Sequence, residues 1–188
     1  ILLHPKALHA GYVFDIAAPH KAVTLHLNEN EQLFLMQFFP ADTIHIKGIV
    51  LYFHGNRDNI NRYAAYADNF TKHGYEVWMP DYPGFGKSTG VFTEERLYSD
   101  ANLLYKMAGK RFAADSVILY GRSLGTGVAS ELASHNKCKR LILETPYYSF
   151  PSLAASHFPI YPTERMIHFK FPVFEYIQMV KAPVTVFH

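Results

Sequence analysis

Ser116-Val-Ile-Leu-Tyr-Gly-Arg-Ser-Leu-Gly125 is the stretch that decides the fold. Residues 116–120 (SVILY) read as a strand buried on both faces, the pattern of a parallel sheet. Residues 124–135, rich in small side chains, read as a helix. Between them stands a G-x-S-x-G, in the strand–turn–helix setting that gives this motif its meaning. The backbone must turn sharply there, which lifts the Ser123 hydroxyl above the sheet. Gly121 and Gly125 let strand and helix approach without Cβ clashes. The helix N-terminus then directs amides and the positive end of its dipole at any developing oxyanion. Ser123 is therefore the candidate nucleophile, and the Leu124 N–H is a candidate oxyanion donor.

Outward from this segment, strands and helices alternate. Residues 22–28 and 31–39 predict two strands joined by a tight polar turn at Asn28–Asn30, with Val23, Leu25 and Leu27 on one face. Residues 46–55 (IKGIVLYFHG) hold a continuous apolar run. Residues 61–73 follow at helical spacing, with Tyr63, Tyr66, Ala67 and Phe70 on one side. Residues 75–80 are a further strand. Residues 94–109 predict a helix with Thr93 as N-cap. Strands at 140–144 and 183–187 complete the set. The aromatic, proline-punctuated stretch 146–181 between them is expected to hold two short helices and a loop forming part of a lid. The whole of 1–188 reads as one α/β domain: a doubly wound, mostly parallel sheet with helices on both faces. Ligands bind such sheets at the carboxyl ends of the strands.

Two further motifs follow strands. His54-Gly55-Asn56 comes after IVLYF. An oxyanion hole needs a second donor beside the one from the serine turn, and the Asn56 N–H is the candidate. His54 reads as structural, bridging loops by hydrogen bonds. Asp81-Tyr-Pro-Gly-Phe-Gly-Lys-Ser88 follows YEVWM. Its glycine spacing matches neither phosphate-loop pattern, so Asp81 is expected to accept hydrogen bonds from loop backbone.

The bulk numbers exclude more than they assign. With 188 residues, 49% of them hydrophobic and a net charge of +2, the chain suits one globular core. Lys and Arg are scattered, without the basic run of a nucleic-acid partner. Cys138 is the lone cysteine, so no intrachain disulfide forms, and it reads as a packing residue. No His pair at ligand spacing sits with a carboxylate on one element, and neither a metal nor a cofactor is indicated. No stretch is long and apolar enough to span a membrane.

With HGN at 54–56, DYPGFGKSTG at 81–90, GRSLG at 121–125 and LETPY at 143–147 in this order, the chain resembles the α/β-hydrolase superfamily. The closest branch is that of small-cap serine hydrolases, which includes membrane-tethered proteins of uncertain substrate and protein depalmitoylases. The opening residues 1–19 are similar to that branch as well. There they follow a hydrophobic anchor, which implies a membrane tether upstream of Ile1 and a cytoplasmic or membrane-tethered location. The resemblance implies Ser123 as nucleophile, the Asn56 and Leu124 amides as oxyanion hole, and an acyl-enzyme hydrolysed by water. It also implies a triad acid after the strand PVTVF and a histidine one strand later. Both fall beyond His188, so the fold is read as truncated after the strand that precedes the acid. Within the chain, Glu144 is a possible substitute acid, though it is expected to hydrogen-bond loop backbone. His135, His157 and His168 follow the nucleophile, and none is singled out by spacing.

The function expected is hydrolysis of an ester or related acyl bond in a small-molecule or acyl substrate. Tyr147, Tyr148, Phe150, Phe158, Tyr161, Phe169 and Phe171 are expected either to line an apolar acyl pocket or to belong to the core. Two alternatives stay open: a non-catalytic ligand-binding protein on the same fold, and an aminopeptidase-like hydrolase, which would need a carboxylate to hold the substrate amine.

Overall fold

The computed structural model describes residues 3–157, 167 and 169–188. The amino-terminal segment contributes β1 (His4–Pro5). β2 (His20–His26) and β3 (Gln32–Phe38) form an antiparallel pair that sets Val23 opposite Leu35 and Leu25 opposite Leu33. Asn28 closes their turn: its Oδ1 accepts the Asn30 and Glu31 amides at 2.9 Å each. β4 (Gly48–Phe53) is buried along its whole length, as its unbroken apolar run requires. β5 (Arg57–Asp58) follows and pairs in parallel with β1. The remaining strands are β6 (Tyr75–Pro80), β7 (Val117–Arg122), β8 (Arg140–Glu144) and β9 (Val184–Phe187).

Among the described residues, seven strands make one sheet in the order β2-β3-β6-β4-β7-β8-β9. β3 is antiparallel to β6, and every pairing from β6 to β9 is parallel. The doubly wound, mostly parallel sheet read from the sequence is thus the fold.

The helices are α1 (Ile60–Tyr63), α2 (Asp68–Thr71), α3 (Glu94–Ala108), α4 (Leu124–His135), α5 (Phe150–His157) and α6 (Val173–Met179). α3 begins as its sequence dictates, with Thr93 Oγ1 accepting the Arg96 amide at 3.1 Å. α3 and α4 cover one face of the sheet, packing Leu97, Leu104, Val128 and Leu132 on Ile49, Leu51, Phe53 and Leu119. The segment after β4 covers the other, with Ile60, Tyr63, Ala64 and Ala67 on Val50, Tyr52, Val77 and Ile118. The neighbours β4 and β7 therefore send their connections to opposite faces. Doubly wound sheets bind ligands at the carboxyl ends of such a pair of neighbours.

One expected element is interrupted. The helix read over 61–73 breaks into α1, a 3₁₀ turn at Ala64–Ala67, and α2. In a 3₁₀ turn residues three apart eclipse. The tightening brings Tyr63 and Tyr66 into line, with ring centroids 6.4 Å apart and the Arg122 guanidinium over both. Packing on this tertiary cluster outweighs the regular helical repeat.

Candidate active site

Ser123 stands between β7 and α4 at φ 49°, ψ −115°. This left-handed φ is costly for a residue with a Cβ, and hydrogen bonds on both sides hold it. The Ser123 amide donates to the Glu144 carbonyl at 2.9 Å. The Ser123 carbonyl accepts from the Thr126 amide at 2.9 Å and from Thr126 Oγ1 at 2.6 Å. The two glycines are sterically required. A methyl on Gly121 would fall on the Gly125 carbonyl, and one on Gly125 on the Phe53 carbonyl.

The motif at 54–56 arrives beside this turn because Phe53 pairs with Gly121 across β4 and β7. A methyl on Gly55 would lie 2.9 Å from the Tyr63 hydroxyl and 3.7 Å from the Arg122 carbonyl. Leu124 follows Ser123 directly and opens α4, where the first amide of a helix has no intrahelical acceptor. Tyr147 adjoins the same turn, its hydroxyl donating to the Leu124 carbonyl at 3.3 Å.

Beneath the site lies a fully buried pair, with His54 Nε2 3.2 Å from Asp81 Oδ1. Asp81 Oδ1 also accepts the Ile60 amide at 3.0 Å, so the carboxylate holds loop backbone together with the histidine ring. Burial pushes the Asp81 carboxyl above the usual carboxylate range, and the His54 contact opposes that shift. The rest of the 81–90 loop is tied inward. Ser88 Oγ bridges the Asp81 carbonyl and the Phe34 amide, and Lys87 Nζ donates to the carbonyls of Ala10 and Tyr12.

Glu144 corrects an expectation. Its side chain turns to other side chains rather than to loop backbone: it accepts the Tyr120 hydroxyl and lies 3.4 Å from Arg122 Nε. The cause is register, since Arg122 and Glu144 are partners across β7 and β8, which puts both side chains on one face. Arg122 occupies the variable position of G-x-S-x-G and had no signal of its own. Glu94 was missed too: besides leading α3, its carboxylate accepts the Lys170 and Phe171 amides at 2.6 and 2.9 Å, clasping the end of the 146–181 stretch.

The histidines after the nucleophile separate. His135 ends α4, about 18 Å of helix from Ser123 at about 1.5 Å per residue, and its Nε2 lies 3.5 Å from Glu131 Oε1. His168 and the His157 side chain lie outside the described residues, as do Phe158 and Tyr161. Of the aromatic set, Phe150 and Phe171 are core, Tyr148 is exposed and stacks on Phe174, and Phe169 packs edge-on against Phe92. A groove of about 760 Å³, lined by residues that include His135, Cys138, Met179 and Lys181, opens at the opposite, amino-terminal ends of β7–β9. Among the described residues no group of three or more His, Cys, Asp or Glu side chains could hold a metal ion. No described helix is long and apolar enough to cross a membrane.

Residues 44–173 match the family model described as serine aminopeptidase, S33, one of the hydrolase families. The chain belongs to the α/β-hydrolases. This α/β-hydrolase is 32% identical to alpha/beta hydrolase domain-containing protein 17C of Xenopus tropicalis, over 74% of its own length and 44% of the relative's. It therefore spans less than half the length of that relative. An alpha-beta hydrolase from Vibrio vulnificus shares the fold with a TM-score of 0.74 at 21% identity, over 89% of this chain and 62% of that one. An esterase from Pyrococcus furiosus does so with a TM-score of 0.63 at 19% identity, over 99% and 76%. At these identities the likeness speaks for the fold.

Proposed function

We propose that this α/β-hydrolase cleaves an ester or related acyl bond through an acyl-enzyme on Ser123. The observation that carries the reading is Ser123 itself, held at φ 49° between β7 and α4 by glycines that admit no side chain. Ser123 Oγ gives up its proton, which is passed on to the leaving group, as it attacks the substrate carbonyl carbon, and the carbonyl π bond opens onto the oxygen. The Asn56 and Leu124 amides stabilise that oxyanion. Collapse expels the alcohol or thiol, which takes up a proton, and leaves an acyl-serine. Water then attacks the acyl-serine, releasing the acid and restoring the hydroxyl. Among the described residues no histidine or carboxylate hydrogen-bonds Ser123 Oγ.

A fluorophosphonate probe on the full-length protein, compared with Ser123→Ala, is the test. Labelling that disappears in the variant is the expected result. A folded full-length protein that does not label would favour the ligand-binding alternative. A panel of acyl esters, thioesters and aminoacyl amides then separates esterase from peptidase chemistry.

A further inference from the structure

The loop that follows β4 is pinned at three successive carbonyls. The His54 carbonyl accepts the Tyr82 hydroxyl at 2.6 Å. The Gly55 carbonyl lies 2.8 Å from His54 Nδ1. The Asn56 carbonyl accepts the His4 amide at 3.0 Å. The middle contact is the informative one. A carbonyl oxygen can only accept, so Nδ1 carries the hydrogen. C=O and N–H point in opposite directions within one planar trans peptide. Fixing the Gly55 oxygen therefore fixes the direction of the Asn56 N–H.

The ring has little freedom to do otherwise. His54 is fully buried, stacked on Tyr63 at 4.9 Å and 14° and tilted against Tyr82 at 4.5 Å. Its Nε2 meets Asp81 Oδ1, which is itself held by the Ile60 amide. Gly86 presses so closely on the Asp81 carboxylate that a methyl there would overlap it. With Nδ1 turned to Gly55, the contact of Nε2 with Asp81 Oδ1 at 3.2 Å holds the ring from its other side. The arrangement is more specific than a loop bridge needs to be, because one ring nitrogen sets a peptide plane and the other sets the ring.

We infer that His54, oriented by Asp81, is a positioning residue that aims the Asn56 amide at the oxyanion formed on Ser123 attack. The inference rests on the acyl-enzyme reading above. It acts on the transition state only, so its loss lowers kcat and leaves KM unchanged.

Two substitutions in the full-length protein separate the functions of the ring. The amide nitrogen of His54→Asn takes the place of Nδ1, whereas that of His54→Gln reaches the place of Nε2. Removing one oxyanion donor costs on the order of 100-fold in kcat. The expected result is a loss of that size in His54→Gln at unchanged KM, and a loss below about 10-fold in His54→Asn. Equal losses in both variants, or a rise in KM without a fall in kcat, overturn the inference. Ser123→Ala in the same assay guards the premise: turnover and labelling that survive it sink the acyl-enzyme reading itself. Long-range ¹H–¹⁵N spectra of the unmutated protein need no variant to fold. A protonated Nδ1 on His54 agrees with the inference, and a bare Nδ1 refutes it.

Discussion

The two faces of β7 hold Ser123 in different ways. Towards α4, Leu119 packs with Val128, Ala129 and Leu132 in a buried apolar layer, and Gly121 abuts the Gly125 carbonyl and the Thr126 Cα. Backbone touches backbone there, and the tolerance is smaller than a methyl group. Towards the opposite side, Tyr120 stacks on Tyr52 at 4.6 Å, and Arg122 and Glu144 pair at 3.4 Å with 27% and 23% of their side chains exposed. One face positions the nucleophile by excluded volume. The other braces the same strand end with charge in a partly wet rim. Excluded volume has no adjustable arm, whereas long polar side chains can shift and let water in. Substitutions on the first face should therefore cost more.

The largest effect is expected from Gly125→Ala. The new methyl would overlap the Phe53 carbonyl, so backbone must move, at or above the ~3 kcal/mol upper range of ordinary overpacking. In a domain of this size that lowers Tm by about 6–12 °C, and Ser123 labelling should vanish with it. Gly109→Ala is the control: φ is −62° and the nearest atom is at 3.4 Å, so stability should stay within about 0.5 kcal/mol. Equal losses at both positions, measured by denaturant unfolding, would break the comparison.

An intermediate effect is expected on the polar face. Glu144→Ala strips the Arg122 guanidinium and the Tyr120 hydroxyl of their acceptor and should cost about 1–2 kcal/mol, given the partial exposure of the pair. Arg122→Met keeps bulk beside Tyr66. A double-mutant cycle between the two should show a coupling of about 0.5–1 kcal/mol. A coupling near zero would mean that stacking alone braces this face.

The smallest effect concerns a group on neither face. Burial pushes the Cys138 thiol up to about 11, and the thiolate is the reactive form. Alkylation by iodoacetamide should be slow near neutral pH, rise about tenfold per pH unit, and level off near pH 11. A plateau below pH 9 would refute the burial. Labelling of Ser123 by the fluorophosphonate should be unaffected by the modification, because Cys138 lies beyond the far end of α4.

Much of the fold was legible because its signals are local. The apolar runs of β4 and β7, the Thr93 cap and the Asn28 turn each depend on a few neighbouring residues. The glycines of 121–125 announced the elbow in the same way. The break after Tyr63 was not legible, since it answers to Arg122, a residue far along the chain. The partners of Glu144 depend on strand register, and the clasp of Glu94 on a segment that returns some 75 residues later. Neither leaves a mark within a short window.

By itself, then, the sequence determined the strand–helix alternation, the place of the serine turn and the candidacy of the Asn56 and Leu124 amides. Local periodicity and backbone sterics suffice for these. Tertiary structure alone decided that His54 faces both Gly55 and Asp81, that Arg122 meets Glu144, and that His135 ends far from the nucleophile. Those outcomes depend on which strands lie side by side and on which residues stand level across them, and no short stretch of chain encodes either.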